Sequence, residues 1–471
     1  LSNPYPKWAK LWVWRLLDRG VTSLPIAPKR ERDPHAVLIG MDDKLPLGQA
    51  ALLGLQHVLS MFVGTITPAL LIGHLLHWPE GEISYLVSMA LVISGIASFI
   101  QIRRVGPIGS GLLSAQGTSF AFFGPLLEAG HLGGLPLMLG MSLASAPVSL
   151  IIGPLLPRLK HFFTPVVSGT VVLLIGLSLI PAAMMGITSG FGPGSVPWHG
   201  LAISVLTLGL IVILGSIRQP LLRMSAVVIA LAVGYGLSAL LGYLHPPRLE
   251  APLVVIPEPF HFGMAFQWQL LIPFLFLYLV SSMETLGDVT ATAHLSGLAI
   301  EGTSYWSRVR GAVMADGLNS VLAACFNSFP NTTYAQNNGV IQLTGVASRQ
   351  VGYFMCGFLA LFGLVPLIGN WIAIMPGPVF GGATLLLFGY VASSGLRILY
   401  HSAMTQREWM IVAVSLSTGL GVASAPTVLD VLPETIRLTF SSSVVTGGVL
   451  ALLLNAVLPR SRLPETLETV G

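Results

Sequence analysis

Three carboxyl groups in this chain sit where carboxyl groups are costly. Most of the nineteen Asp and Glu residues fall in termini or connections, but Glu284, Asp288 and Asp316 lie inside long apolar stretches. Glu284 and Asp288, in SSMETLGDVTATAHLSG, are four residues apart and share one face of a helix. Two carboxylates one turn apart cannot both ionise cheaply at low dielectric, so one is expected to hold a proton near neutral pH. That is the chemistry of a proton relay. Asp316, in GAVMADGLNS, fits such a relay or a helix-tying role through Ser, Thr or backbone N–H groups. His57, in LGLQHVLSMF, fits a helix–helix hydrogen bond, with proton transfer or substrate contact as the alternative. Then comes a run of amides and hydroxyls, Gln336, Asn337, Asn338, Gln342 and Thr344, in YAQNNGVIQLTG. Amides buried in an apolar medium need partners, from the chain or from a ligand.

Several chemistries are excluded. Cys325 and Cys356 stand alone in apolar stretches, so neither a disulfide framework nor a zinc pattern is present. No His/Cys cluster has metal-ligand spacing. No GxxxxGK[ST] loop occurs, so ATP is not the driver; transport would run on an ion gradient or downhill. No cofactor is expected, and the residues alone leave proton and sodium both open as the driving ion.

The surroundings are those of a polytopic membrane protein. Of 471 residues, 53% are hydrophobic and 9% charged, with mean hydropathy +0.79, against about 25% charged in soluble domains. Fourteen apolar stretches are expected as spans: 47–73, 82–101, 109–123, 133–156, 164–185, 198–216, 221–243, 268–293, 309–328, 331–345, 350–369, 374–396, 408–424 and 440–458. With the N-terminus in the cytoplasm, 21 of the 23 Lys and Arg fall on the inner side, all but Arg248 and Arg437. This accounts for the pI near 9.1 without nucleic acid. Both termini are then cytoplasmic.

The third and tenth stretches are short and rich in Gly, Ser, Thr and amides. Fourteen spans with breaks at these positions suggest seven plus seven, the halves inverted, with half-helices meeting at the midplane. The N-termini of such half-helices offer N–H groups and a positive dipole end to a ligand. Residues 109–123 would face 331–345. Outside the spans, 1–45 begins at Leu1 rather than Met, carries no signal-peptide cleavage pattern, and includes KWAKLWVWRLLDRG (7–20), which reads as an interfacial helix, with a disordered tail as the alternative. The Pro-rich stretch 244–265 reads as an extended outer loop between repeats, and 459–471 as a polar tail.

These pieces together resemble the nucleobase–ascorbate transporters, also called nucleobase:cation symporter-2. QNNGVIQLTG (336–345) is similar to the family signature, Gln/Glu/Pro–Asn–x–Gly followed by Thr and Gly, Arg or Lys. SMETLGDVTATA (282–293), ADGLNS (315–320), FPNTTYAQNNG (329–339) and QHVLSMF (56–62) add to the likeness, which covers about 45–458 and leans towards bacterial xanthine and uric acid permeases. Uracil permeases have Glu at Gln336 and His at Asp288. The resemblance implies an all-α fold of fourteen spans as a 7+7 inverted repeat, with short strands in spans three and ten. It implies a core domain (46–157 and 266–370), a gate domain (158–265 and 371–458), a homodimer through the gates, and elevator-like proton symport in a bacterial inner membrane. It carries substrate binding onto Glu284, Gln336, Ser119 and Phe120, and a polar or proton-coupling role onto Asp288, Asp316, His57 and Asn337. Where this chain has Ser119, some xanthine permeases have Asn, which bears on the choice among xanthine, urate and related oxopurines.

The chemistry is coherent without the name. An oxopurine edge alternates N–H donors with carbonyl acceptors. Ionised Glu284 can accept two N–H bonds, the Gln336 amide offers one donor and one acceptor, and Phe120 can cover the ring. Two other readings exist. An anion exchanger of the same architecture would want a cation near the broken spans, and none is there. An intramembrane aspartyl protease using Asp288 and Asp316 would want a Gly-x-Gly-Asp context, whereas Asp288 follows TLG.

Overall fold

The computed structural model describes residues 38–459 except 160–161, 163, 189–197, 218, 245–253, 401 and 403. The interfacial helix expected at 7–20, Arg248 and the tail beyond 459 lie outside the described residues. In chain order the elements are α1 (Leu47–Leu75), α2 (Glu80–Arg103), β1 (Gln116–Thr118), α3 (Phe123–Ser145), α4 (Val148–Leu159), α5 (Pro165–Thr188), α6 (Trp198–Ser216), α7 (Pro220–Met224), α8 (Ala226–Leu240), α9 (Leu271–Leu295) and α10 (Gly302–Cys325). They continue with β2 (Asn331–Thr333), α11 (Gln336–Thr344), α12 (Arg349–Leu364), α13 (Pro366–Ala373), α14 (Gly377–Tyr400), α15 (Gln406–Ser424), α16 (Glu434–Phe440) and α17 (Ser443–Val457). Local chemistry sets many of the ends. Ser348 and Ser442 cap α12 and α17 through their hydroxyls, a Thr405–Glu408 capping box opens α15, Pro366 starts α13, and Gly345 at φ +68° closes α11.

Each of the fourteen apolar stretches contains at least one of these elements, yet length and composition alone license fewer crossings. Among the described residues, six helices are long and apolar enough, and three bent pairs raise the number to nine. The shortfall has physical causes: α11 has nine residues and α8 fifteen, while α10 carries Arg308, Arg310, Asp316 and Asn319.

The boundaries near the third stretch need correction. A 3-10 turn at Phe120–Phe122 runs directly into α3, so the helix that starts in this stretch extends well past residue 123. The chain breaks instead at Gly133 and Gly134, where Gly134 has φ +65°. Glu128, placed by the sequence in a connection, is therefore a half-buried helical residue.

The helices pack in two groups. α5 lies along α14, α15 packs on α17 and α5, and α6 packs on α8 and α14. Around β1 and β2 gather α1, α2, α3, α9, α10, α11 and α12, with α4 on α10 and α13 on α2. The stretch 254–267 has no helix of its own and is pinned to this second group. Val255 N–H donates to Leu364 O (2.9 Å), Phe260 N–H to Cys325 O (2.8 Å), and Ala265 N–H to Pro136 O (2.8 Å), while the Asn327 amide donates to Glu258 O (2.6 Å).

The α5–α14 contact is a backbone approach. A Cβ on Gly176 would lie 2.6 Å from Ala392 Cα, and one on Gly395 would press on the backbone of Leu173. Small residues at such crossings let helices close on one another. Gly176→Leu is expected to destabilise the protein by about 1–3 kcal/mol, seen as a lower thermal midpoint of the detergent-purified protein. Gly209→Ala, at a position with open space around it, should leave the midpoint unchanged or higher.

Candidate functional site

The site is built on two strands of three residues each. β1 and β2 pair antiparallel, Gln116 opposite Thr333, Gly117 opposite Thr332, and Thr118 opposite Asn331. The ladder extends at both ends, with Ser119 N–H donating to Pro330 O (2.7 Å) and Tyr334 N–H to Ala115 O (3.0 Å). Four of the surrounding helices are tied to the pair through side-chain hydrogen bonds. Gln116 N–H donates to Ser98 of α2 (2.8 Å), Thr118 Oγ1 to Thr65 O of α1 (3.1 Å), Asn331 N–H to Ser320 of α10 (3.0 Å), and Ser281 of α9 to Thr332 (3.1 Å). The Tyr334 ring lies against Gly117, where a Cβ would come 2.6 Å from Cζ, and its hydroxyl donates to Thr118 O (2.8 Å). Gly117 is what lets that ring close the site.

Asp316 of α10 is 2% exposed and fully engaged. Gln116 Nε2 donates to its Oδ1 at 2.5 Å and the Thr285 hydroxyl donates to Oδ2. The Gln116 carbonyl in turn accepts from Asn319 Nδ2 (2.9 Å). The chain Asn319–Gln116–Asp316–Thr285 thus joins α10, β1 and α9. Asp288, one turn below Glu284 on α9, accepts from Thr333 Oγ1 of β2 (3.0 Å). Asn338 ties α11 to α9, accepting from Thr292 (2.6 Å) and donating to Asp288 O (3.3 Å).

Glu284 differs from both. It is half-buried, lies within electrostatic reach of Asp288, Asp316 and Tyr334, and receives no hydrogen bond among the described residues. Gln336 opens α11, also half-buried, and its amide is likewise without a hydrogen bond among the described residues. Ser119 stands just before the helical turn leading into α3. Its N–H is taken by Pro330, and its buried hydroxyl has no partner. Phe120 puts its ring edge-on to Phe388 of α14, with centroids 5.5 Å apart, so the site borders the other helix group. Asn337 donates to Leu113 O (2.7 Å) and faces His57, but neither its Oδ1 nor His57 Nδ1 completes a hydrogen bond in this conformation. The His57–Asn337 pair shares no direct hydrogen bond with the carboxyl groups. Among the described residues no group of His, Cys, Asp and Glu could hold a metal.

Comparison with known proteins places this geometry. Residues 48–428 match the model of the Permease family. The xanthine permease XanP of Escherichia coli is 40% identical over 449 residues, 92% of this chain and 96% of that protein. The chain belongs to the nucleobase–ascorbate transporter family. It is a transporter and not an enzyme, so the protease reading falls. The xanthine permease XanQ of E. coli is 39% identical over 90% of this chain and 94% of its own length. A uric acid–xanthine permease of Emericella nidulans is 32% identical over 94% and 87%. Among solved structures, the transmembrane domain of the cyanobacterial bicarbonate transporter BicA aligns over 89% of this chain and all of its own, with TM-score 0.55 and 14% identity. SLC26A9 aligns over 87% and 66% with TM-score 0.58 and 13% identity. At that identity the likeness shows a shared fold of membrane transporters and nothing about substrate.

Sequence reasoning did not select Gln116, Thr285, Asn319, Thr332, Thr333 or Tyr334 as site residues. Two signals were available: Asn319 is three residues after Asp316 on one helix face, and Gln116 is the amide of the polar break SAQGTS. Asp316→Leu leaves the Gln116 amide and the Thr285 hydroxyl without an acceptor, and is expected to cost about 1–3 kcal/mol for each. A thermal midpoint no lower than wild type in detergent would remove Asp316 from this network.

Proposed function

We propose that this protein imports oxopurine nucleobases, xanthine and/or uric acid, together with protons, across a bacterial inner membrane. The observation that carries the proposal is the pair of unsatisfied groups flanking the strands. The Glu284 carboxyl and the Gln336 amide are both half-buried and both lack protein partners, beside two carboxyl groups that have theirs. Glu284 accepts two ring N–H groups, Gln336 reads the adjacent lactam edge, Phe120 covers the ring face, and the Ser119 hydroxyl supplies a further polar contact. A site of this kind discriminates against bases lacking the pattern, because its own polar groups would go unpaired. The named substrates of the xanthine and uric acid–xanthine permeases support this reading.

Coupling follows from charge. Glu284 and Asp288 share a helix face, with Asp316 nearby, so substrate at Glu284 is tied to a proton held within the group. His57 of α1 and Asn337 of α11, which face each other, belong to the polar network of this proposal. The recurring order helix, helix, strand, helix in α1–α2–β1–α3 and α9–α10–β2–α11, with the strands antiparallel, supports fourteen spans as an inverted 7+7 repeat. The two packing groups support a core (46–157 and 266–370) carrying the site past a gate (158–265 and 371–458) in an elevator-like movement, with the gates joining two copies and both termini cytoplasmic. Anion transport or exchange in the same architecture would put an anion beside Glu284, which repels it.

Glu284→Gln is expected to abolish uptake of radiolabelled xanthine while the protein remains in the membrane; transport at the wild-type rate would end the assignment. Gln336→Glu should weaken or redirect oxopurine competition, and an unaltered competition profile would take Gln336 out of the site. A protonophore should collapse accumulation of xanthine and urate, whereas accumulation that instead follows a sodium gradient would replace the proton.

A further inference from the structure

Both interrupted segments converge on one residue outside the site. α11 ends at Thr344, and five residues on, Arg349 opens α12. Its Nε donates to Gly111 O at 2.7 Å, in the turn that leads five residues later to Gln116 of β1. Its Nη1 lies 2.8 Å from Asp42 Oδ1, and its backbone N–H donates to Met41 O (2.9 Å). Asp42 belongs to a strap, residues 38–45, that leads into α1 and His57. The strap is laced to the turn after α11. Leu38 and Ile39 N–H donate to Gly345 O (2.9 and 3.1 Å), Ala347 N–H to Ile39 O (3.0 Å), and Ser348 Oγ to Asp43 O (2.6 Å). Gln350 exchanges two hydrogen bonds with the backbone of Leu45 (2.8 and 3.2 Å). Gly111 has φ +71°, and a Cβ there would come 3.1 Å from Arg349 Nη2, so the turn is shaped to receive the guanidinium.

We infer that Arg349 is a positioning residue for substrate binding, holding the approach to β1, the end of α11 and the strap before α1 in one register. Arg308 holds the same turn to α10 by donating to Ser110 O (3.2 Å), so loss of Arg349 frees α11 rather than the turn. A helix of nine residues is about 13 Å long, so slack at its end is felt at Gln336, on the opposite end. A charge-assisted bond to a carbonyl with a second arm on a carboxylate suits this task, because the planar guanidinium fixes direction as well as distance.

The inference rests on the proposed oxopurine site and is tested on the full chain with R349Q, R349K and D42N. Initial uptake of radiolabelled xanthine is measured over a concentration series and normalised to membrane abundance. For R349Q, KM should rise about tenfold with kcat within about twofold of wild type, the loss of one charge-assisted bond from binding. R349K, which keeps the charge facing Asp42 without the fork, should fall between. D42N, on the exposed strap, should raise KM about twofold. In parallel, hydrogen–deuterium exchange of purified R349Q should quicken in peptides covering 336–349 and stay as in wild type in peptides covering 111–120, which Arg308 still holds. A KM for R349Q within twofold of wild type at normal abundance overturns the inference, as does unchanged exchange in 336–349. If R349Q does not reach the membrane, D42N decides: a raised KM supports the inference and an unchanged one overturns it. If the wild type takes up no oxopurine, the proposed function has failed, and the exchange of purified R349Q, or of D42N where R349Q is not obtained, decides on Arg349 alone.

Discussion

Backbone that is neither helix nor sheet cannot stand free in an apolar slab, because each unpaired N–H or C=O there costs several kcal/mol. This chain interrupts two helical segments in its interior and meets that constraint by pairing the interruptions with each other. Gln116–Thr118 and Asn331–Thr333 satisfy one another, and Ser98, Thr65, Ser320 and Ser281 fasten them to four helices. The pairing dictates where the helices after the breaks begin, at Phe120 and Gln336, and so where ligand-facing groups can be. Asp316 belongs to this scaffold: held by Gln116 and Thr285, it fixes β1 against α9 and α10. With the scaffold satisfied, Glu284 and Gln336 are left over, and leftover polar groups at such depth are what a polar ligand completes.

The comparisons separate fold from chemistry. Relatives at 39–40% identity are xanthine permeases, while structural neighbours at 13–14% identity carry bicarbonate in one case and belong to an anion-transporter family in another. The architecture is thus compatible with more than one cargo, and the side chains beside the strands select. Here the carboxyl group left without a partner among the described residues, Glu284, is an acceptor for hydrogen-bond donors.

Much of this was legible because its signals are local. The i, i+4 spacing of Glu284 and Asp288, the amides after Tyr334 and the polar character of 109–123 need only neighbouring residues to be read. What escaped is non-local. That Gln116 serves Asp316 joins residues 200 positions apart, and nothing in either stretch names the other. The third stretch was misjudged at its end because the Gly133–Gly134 break, not the charge at Glu128, stops that helix. That the Ser119 N–H is already engaged is visible only from its pairing with Pro330, more than 200 residues away. The expected count of fourteen exceeds the nine that length and apolarity support, since short or polar segments are tolerated where protein rather than lipid surrounds them.

The described backbone bonds of the stretch 254–267 to other segments run to Leu364, Cys325, Pro136, Tyr85, Met141 and Asn327, in or next to the helices around the strands and none in α5, α6, α14 or α15. Its Ala265 carbonyl lies so close over Gly140 that no side chain fits between. Mechanically it is fixed to the helices that carry the strands. In the proposed elevator movement, a fluorophore on exposed Val254 or Ile256, or an antibody fragment raised against this surface, would travel with the binding site and register its position.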